Sequence, residues 1–246
     1  MEKVVLITGG SRGIGKKMVE DFAGAGYKVV FSYLSNEINA KDLANNLLSK
    51  GYEVAYKKAD ILEEKDLEDL VKFTLDKYNK IDVLVNNAAI TNDSLFRDKT
   101  SQSFERVLKA NLVGTFTLCK LAGEIMYKNK SGKIINISST NGMNTYYPMC
   151  LEYDASKAGI NSLTHNLAMQ FAPYVHVNAI APGFIGTESE LEGMDEEFIK
   201  SEEEKIFLRR FGKEEDVSNL ALFLASDKSD YINNQIIKIN GGVYGD

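Results

Sequence analysis

The fold is decided by residues 4–15, which read VVLITGGSRGIG. Four consecutive aliphatic residues, Val4 to Ile7, are typical of a strand that is buried on both faces of a parallel sheet. The glycines that follow let the backbone turn sharply before a helical pattern that runs to Ala23. A strand, a glycine-rich turn and a helix in this order predict the phosphate-binding end of a doubly wound α/β sheet.

Strand-like and helix-like segments alternate along the rest of the chain without a long linker. The predicted strands are residues 28–33, 53–57, 81–85, 133–137, 175–180 and 235–239, and the predicted helices are residues 38–50, 63–78, 101–127, 153–171 and 217–225. This alternation predicts a Rossmann-type α/β fold, with a doubly wound parallel sheet of about seven strands and helices on both faces. We expect a single domain over residues 1–246, with a cofactor-binding part over 1–135 and a catalytic and substrate part over 136–246.

Composition argues against several classes of function. A net charge of −6 disfavours general binding to nucleic acid or to an anionic membrane. No apolar run is long enough for a membrane span, and we expect no signal peptide before the first strand. Cys119 and Cys150 have neither zinc nor redox spacing, so we expect no metal and a cytoplasmic location.

The glycine-rich turn also bears on the choice of cofactor. Gly9, Gly13 and Gly15 are spaced Gly-x-x-x-Gly-x-Gly, instead of the commoner Gly-x-Gly-x-x-Gly. A dinucleotide pyrophosphate binds at such a turn, and a purely structural turn is the alternative. The second strand ends without the carboxylate that binds a ribose 2′-hydroxyl in NAD-type sites, whereas Arg12 and Ser35 suit a 2′-phosphate. We therefore predict NADP(H), with NAD(H) as the alternative.

A second motif places Tyr153 and Lys157 one helical turn apart, so both side chains lie on the same helix face. It follows a buried strand that ends in two hydroxyls, Ser138 and Ser139. An ammonium favours phenolate over phenol, so we expect Lys157 to lower the pKa of Tyr153 from its usual value of about 10. Acid/base work near neutral pH needs a drop of roughly 3, of which this cation could supply much and a cationic nicotinamide ring could add more. A Tyr-x-x-x-Lys pair also arises by chance, and its significance depends on the glycine-rich turn earlier in the chain.

Taken together, these motifs resemble a short-chain dehydrogenase/reductase over essentially the whole chain. The matching motifs are Thr8 to Gly15, Asp60, Asn86-Asn87-Ala88-Ala89, Asn111, Ser139, Tyr153 with Lys157, and Pro182-Gly183 with Thr187. Within the family the chain is most similar to 3-oxoacyl-(acyl-carrier-protein) reductases, through residues 89–95, 223–227 and 240–242.

The resemblance implies a role for each of four catalytic residues. Tyr153 donates a proton to the substrate carbonyl, Ser139 hydrogen-bonds the carbonyl oxygen, and Ser138 is the alternative to Ser139. Lys157 lowers the pKa of Tyr153 and holds the nicotinamide ribose, and Asn111 anchors a water for proton resupply. The cofactor contacts that the resemblance implies come from Gly9, Ser11, Arg12, Gly13, Ile14, Gly15, Ser35, Asp60, Ile61, Asn87, Ala88, Tyr153, Lys157, Pro182, Gly183, Ile185 and Thr187.

Four features depart from the family pattern. Ala89 stands where the family has glycine, and the loop from Ser139 to Tyr153 is one residue longer than is typical. Met169 stands where carrier-dependent reductases have an arginine that docks the acidic carrier protein. The expected substrate lid, residues 188–204, carries nine acidic residues, which suit a solvated helix face but would also weaken the docking of an acidic partner.

These observations predict an NADPH-dependent carbonyl reductase with a 3-oxoacyl thioester as its substrate and acyl carrier protein as a candidate partner. One alternative is an NAD(P)-dependent alcohol, sugar or polyol dehydrogenase with a small substrate. Another is a cofactor-binding protein without catalysis, but a scaffold has no need of the complete catalytic set. The resemblance also implies a homotetramer, for which residues 235–239 and Tyr244 offer a further apolar edge.

Overall fold

The computed structural model describes residues 2–143 and 147–243, so Tyr244 lies outside the described residues. One parallel sheet of seven strands forms the centre of the described fold, in the order β3-β2-β1-β4-β5-β6-β7. The strands are β1 (Val4–Ile7), β2 (Lys28–Tyr33), β3 (Val54–Lys58), β4 (Val83–Asn86), β5 (Gly132–Ile137), β6 (Val175–Pro182) and β7 (Ile236–Ile239). The predicted fold class is confirmed.

Helices cover both faces of this sheet. They are α1 (Gly13–Gly24), α2 (Glu37–Ser49), α3 (Glu64–Tyr78), α4 (Ser101–Leu108), α5 (Gly114–Lys128), α6 (Leu151–Gln170), α7 (Glu188–Leu191), α8 (Glu196–Lys205) and α9 (Glu214–Ala225). Most observed boundaries lie within about three residues of the predicted ones, which is the usual uncertainty at frayed helix and strand ends.

Two apolar layers hold the helices onto the sheet. Because side chains alternate along a strand, Val5 and Ile7 of β1 face one layer while Leu6 faces the other. The first layer packs against α1, α2 and α9, and the second packs against α3, α5 and α6. β1 is buried on both faces, as its continuous apolar sequence predicted.

The predicted long helix over residues 101–127 is helical throughout, but its middle is not α-helical. A π-helical segment, Lys109–Val113, separates α4 from α5. The wider turn carries Asn111, whose side chain is fully buried and bonded to a neighbouring segment, while its backbone carbonyl accepts a hydrogen bond from the hydroxyl of Thr115 at 2.7 Å. Such π segments inside α-helices occur frequently at functional sites.

Strand order reverses between β1 and β4, and this reversal positions the candidate site. The chain runs outward from β1 through β2 to β3, then returns to pair β4 with the other side of β1. In doubly wound sheets the crevice at this switch point, beyond the carboxyl ends of the strands, is where ligands bind. No helix in the described part of the chain is long and apolar enough to cross a membrane.

Candidate active site

A cavity of about 1490 Å³ opens beyond the carboxyl ends of the strands. It extends from the glycine-rich turn to Tyr153, and its volume exceeds the roughly 300–1,000 Å³ of a drug-sized pocket. All predicted cofactor-binding residues line it, as do three of the four predicted catalytic residues, Ser139, Tyr153 and Lys157. Asn111 lies behind the cavity wall in the π-helical segment.

The glycine-rich turn brings backbone close to backbone. Gly9 has φ +67°, in the left-handed region that favours glycine, and a Cβ on Gly15 would lie 2.1 Å from the carbonyl oxygen of Gly9. The N-cap residue of α1, Arg12, makes no side-chain cap hydrogen bond. The first N–H groups of α1 are therefore available to an anion at the mouth of the cavity, where the helix dipole also favours negative charge.

Thr8 and Asn87 fix this turn against the end of β4. The hydroxyl oxygen of Thr8 accepts hydrogen bonds from the backbone N–H groups of Asn87 and Ala88, both at 3.0 Å. The side-chain amide of Asn87 donates to the carbonyl oxygens of Thr8 at 2.9 Å and Gly9 at 3.3 Å. Thr8, which belongs to the glycine-rich motif, therefore joins the two loops.

Another part of the cavity wall is formed by the residues that follow β2. Residues 33–36 line the cavity there together with Arg12, and none of them is a carboxylate. The side chain of Asn36 caps α2 by accepting a hydrogen bond from the N–H of Asn39 at 3.0 Å. Asp60 also lines the cavity, and one of its carboxylate oxygens accepts a hydrogen bond from the N–H of Leu62 at 2.9 Å.

The hydroxyl of Ser139 acts on the phenol of Tyr153 and lowers its pKa, whereas the hydroxyl of the other candidate, Ser138, is turned towards Asn161. Ser139 also accepts a hydrogen bond from the backbone N–H of Asn141 at 3.2 Å. The hydroxyl of Ser138 is buried and donates to the side-chain oxygen of Asn161 at 2.6 Å. Both serines line the cavity, but only Ser139 acts on the phenol of Tyr153, because the hydroxyl of Ser138 is engaged by Asn161.

The expected lowering of the pKa of Tyr153 by Lys157 is wrong. Burial raises the pKa of Tyr153 well above its ordinary value, against the opposing effect of the hydrogen bond to Ser139. The ammonium of Lys157 lies 5.3 Å from the centre of the Tyr153 ring and donates to the carbonyl oxygen of Ile137 at 2.7 Å. Burial also lowers the pKa of Lys157 to about 7, so this lysine supplies only a fraction of a positive charge at neutral pH.

Asn111 joins three elements around the catalytic helix. Its side-chain oxygen accepts from the N–H of Ile90 at 2.8 Å, and its side-chain nitrogen donates to the carbonyl of Ile90 at 2.8 Å and the hydroxyl of Ser156 at 3.0 Å. Ser156 in turn donates to the carbonyl of Tyr153 at 2.7 Å. Sequence reasoning missed Ser156, although its position within the Tyr-x-x-x-Lys motif was a signal. The water-anchoring role of Asn111 stays a prediction, since its side-chain amide is engaged by protein groups.

An aromatic cluster closes the substrate end of the cavity. Phe184 stacks on Phe211 with ring centres 4.9 Å apart and meets Tyr147 edge-on at 5.5 Å. The hydroxyl of Tyr147 donates to the carboxylate of Glu202 in α8 at 3.0 Å, and Lys205 lies 2.6 Å from the same carboxylate. One acid of the predicted lid is therefore a buried structural partner, although most of the others are exposed as expected.

Carboxylates also line the substrate end. Asp93 and Glu190 belong to the cavity wall, and partial desolvation there, followed by the charge of Asp93, raises the pKa of Glu190. The thiol of Cys150 donates a hydrogen bond to the carboxylate of Asp93 at 3.4 Å. Burial, and to a smaller extent the charge of this carboxylate, raises the pKa of Cys150 to about 12. This thiol is therefore a protonated wall residue at neutral pH.

The chain is similar to known proteins over nearly its whole length. A protein-family model described as Enoyl-(Acyl carrier protein) reductase matches residues 9–244. The 3-oxoacyl-(acyl-carrier-protein) reductase FabG of Staphylococcus aureus is 36% identical over 245 residues, which cover 99% of each chain. The 3-oxoacyl-(acyl-carrier-protein) reductase of Synechocystis sp. is 38% identical over 243 residues, which cover 98% of this chain and 96% of the relative. Among solved structures, a presumed gluconate dehydrogenase from Agrobacterium tumefaciens has a TM-score of 0.92 at 29% identity, covering 98% of this chain and 95% of the other.

Proposed function

The chain belongs to the short-chain dehydrogenase/reductase family of NAD(P)-dependent oxidoreductases, and from this premise we propose that it reduces a carbonyl to a hydroxyl with NADPH, acting on a 3-oxoacyl thioester. The observation that carries the proposal is that one cavity joins the glycine-rich turn to the hydroxyls of Ser139 and Tyr153. A dinucleotide at the turn and a carbonyl at the hydroxyls would therefore share one enclosed space.

The turn fits a dinucleotide for two reasons. Side chains are excluded at Gly9 and Gly15, so the backbone can approach a pyrophosphate closely. The uncapped N-terminus of α1 supplies N–H groups and a favourable dipole for its charge. When bound, the cofactor supplies the hydride, and Asp60, Asn87 and Thr187 lie along the wall that would hold its two ends.

Tyr153 is proposed as the proton donor to the substrate carbonyl. Its raised pKa keeps the phenol protonated at neutral pH, ready to donate as charge develops on the carbonyl oxygen. Ser139 would hydrogen-bond the same oxygen, and the two hydroxyls would together select its position. Lys157 would then act on the nicotinamide ribose and assist the return of a proton to Tyr153, since its own pKa of about 7 suits transfer in either direction.

NADPH is proposed over NADH because of the residues after β2. Arg12 and Ser35 line the cavity where the adenine ribose would lie, and no carboxylate between residues 32 and 36 repels a 2′-phosphate. A guanidinium forms charge-assisted hydrogen bonds to phosphate with a fixed, planar geometry. NADH remains the alternative cofactor.

The proposed substrate follows from the relatives, and acyl carrier protein is the proposed partner. Met169 is 67% exposed on α6, so the docking arginine that the carrier-dependent reductases have there is replaced by an apolar surface. A second candidate, a dehydrogenase of a small alcohol, sugar or polyol, is favoured by Asp93 and Glu190, whose carboxylates could accept hydrogen bonds from substrate hydroxyls. The similarity to a presumed gluconate dehydrogenase points the same way.

Assembly and location complete the proposal. Large apolar side chains are exposed on both α5 and α6, including Phe116 at 47% and Leu151 at 40%, which suits burial in a homotetramer. We also propose that the chain forms a single domain and that it works in the cytoplasm. In that reducing compartment the free thiols of Cys119 and Cys150 would persist.

Turnover of the purified protein tests this function. NADPH oxidation should be fastest with a 3-oxoacyl thioester. The reductive assays should compare the same 3-oxoacyl group attached to coenzyme A and to acyl carrier protein. Sugars and polyols should be assayed in the oxidative direction, with NADP⁺ and with NAD⁺. Tyr153→Phe is the matched control, because it removes one hydroxyl and should cut turnover by about 10²–10⁴-fold while cofactor affinity changes little. Turnover of polyols but not of thioesters would favour the second candidate, and unchanged turnover in Tyr153→Phe would overturn the assignment of the proton donor.

A further inference from the structure

A buried ion pair lies directly beside Tyr153, outside the groups described above. Glu152, in the first turn of α6, is 0% exposed, and the side chain of Lys99 is 6% exposed. The ammonium nitrogen lies 2.5 Å from a carboxylate oxygen. Taking two charges out of water costs about as much as their attraction returns, so stability alone gives little reason for such a pair.

Asn92 completes the cluster and ties it to the loop after β4. Its side-chain nitrogen donates to the second carboxylate oxygen of Glu152 at 2.9 Å, and its backbone carbonyl accepts from the ammonium of Lys99 at 2.8 Å. Burial alone would raise the pKa of Glu152, but the hydrogen bonds from Lys99 and Asn92 hold it below its usual value. The carboxylate is therefore ionised, and both ends of the segment 92–99 are fixed to the start of α6.

The fixed segment forms part of the substrate wall. Thr91, Asp93 and Leu95 line the cavity together with Tyr153, whereas Lys99 and Glu152 do not line it. A backbone hydrogen bond from Ser94 to the carbonyl of Met149, 3.2 Å long, adds a further attachment just before α6. The position of these wall residues therefore depends on the buried ion pair, although the ion pair itself would not touch the substrate.

Two attachments flank the catalytic tyrosine. On one side Glu152 is bound to the segment 92–99, and on the other Asn111 binds Ile90 and, through Ser156, the carbonyl of Tyr153. The segment that begins at Ile90 is thus attached to α6 immediately before and shortly after the phenol. The two attachments together fix the separation between the substrate wall and the phenol hydroxyl.

We propose that Glu152, acting with Lys99 and Asn92, is a positioning residue that sets the substrate wall of residues 91–95 against the hydroxyl of Tyr153. The inference rests on the proposed function, because it assigns the pair to alignment of a carbonyl with Tyr153. The pair contacts neither the glycine-rich turn nor the wall after β2, so its effect falls on turnover and leaves cofactor affinity unchanged.

The test is a double variant that removes both charges, Lys99→Met with Glu152→Leu. Each single change would strand a buried charge and unfold part of the protein, whereas apolar replacement of both partners keeps the volume filled and the fold stable. Because a misplacement of about 1 Å costs up to about 100-fold in rate, the double variant should lose about 10- to 100-fold in kcat while the Kd for NADPH stays the same. Lys133→Met is the matched control, since Lys133 is a buried lysine paired with Asp230 and bonded to Ser229, and it does not line the cavity. It should lower stability and leave the kcat of the folded enzyme unchanged.

Three measurements decide the outcome. A double variant that melts near the wild-type temperature and keeps kcat within about threefold of wild type would overturn the proposal, because the pair would then be structural only. Hydrogen exchange at the amide of Ser94 gives a readout independent of turnover, and the proposal requires faster exchange there in the double variant than in Lys133→Met. Equal exchange would overturn it. If the wild-type protein turned over no carbonyl, the proposed function would be refuted. Hydrogen exchange at Ser94 would still show whether the ion pair fixes residues 91–95 to α6.

Discussion

Replacing Lys157 by methionine should remove a pH dependence of stability that the wild-type protein shows. Lys157 is 2% exposed, and burial lowers its pKa from 10.5 to about 7 in the cofactor-free protein. Between these two values the unfolded chain binds a proton that the folded protein does not. The free energy of unfolding of the wild type should therefore rise as the pH increases from 7 towards 10.5, and this contribution is lost as the pH falls back through 7.

The size of the effect follows from the same two pKa values. A difference of one bound proton changes the free energy of unfolding by about 1.4 kcal/mol per pH unit. At pH 7 the folded lysine is about half protonated and at pH 9 it is almost wholly neutral, so the wild type should gain about 2 kcal/mol over this interval. The full separation of the two pKa values, about 3.5, corresponds to about 5 kcal/mol of penalty in acid. Methionine removes that penalty at the cost of the hydrogen bond to Ile137, about 1–3 kcal/mol, so the variant should be the more stable protein at pH 7.

Urea unfolding of the two proteins at pH 7, 8 and 9, at one protein concentration and without cofactor, measures this difference. Other titrating groups are common to both proteins and cancel in the comparison. The variant should also be inactive, which would make Lys157 a case of stability given up for function. Parallel curves of unfolding free energy against pH would refute the reasoning, because they would show that the buried lysine is charged in the folded protein.

Three further changes test other parts of the site. Arg12→Ala should weaken NADPH binding by about 10- to 150-fold and leave NADH binding nearly unchanged. Cofactor titration at fixed ionic strength measures both affinities. An equal loss of affinity for the two cofactors would contradict a contact between Arg12 and the 2′-phosphate. Gly15→Ala should abolish binding of either cofactor, because the added Cβ would lie 2.1 Å from a backbone oxygen of the same turn, while Gly24→Ala, where nothing lies within 4 Å, should bind normally. Tyr147→Phe removes the hydrogen bond to Glu202 and should raise KM and the rate of proteolysis within α8 without lowering kcat, whereas an unchanged cleavage rate would show that this bond does not hold the lid.

The fold could be predicted from sequence because its signals are local. An apolar run of four residues, a glycine-rich turn and a helix lie consecutively in residues 4–24, and their geometry leaves few alternatives. The position of Tyr153 was equally accessible, since its partner Lys157 lies on the same helix face. The π-helical segment was not, because the residues around Asn111 continue the helical pattern and only their hydrogen bonds reveal the wider turn.

The electrostatics of the site could not be predicted, because they depend on burial. Lys157 was expected to act as a full charge on Tyr153, but the same enclosure that brings the two together removes the water that would keep the lysine charged. The ion pair of Lys99 and Glu152 was missed for a related reason. The two residues are far apart in sequence, and each is of a type that usually lies on the surface.

The order of the strands has a consequence for how the protein folds. The pairing of β1 with β4 aligns Val5 with Val83, so two central strands must meet across nearly eighty intervening residues. Closing so long a loop costs entropy before any contact compensates for it, which makes this pairing slow compared with the formation of α1 or α3. The crevice beyond these two strands exists only after they have met, so cofactor binding can stabilise the finished sheet but cannot guide its assembly. During synthesis, the glycine-rich turn can be fixed against the loop after β4 only when the chain has been made as far as Ala88.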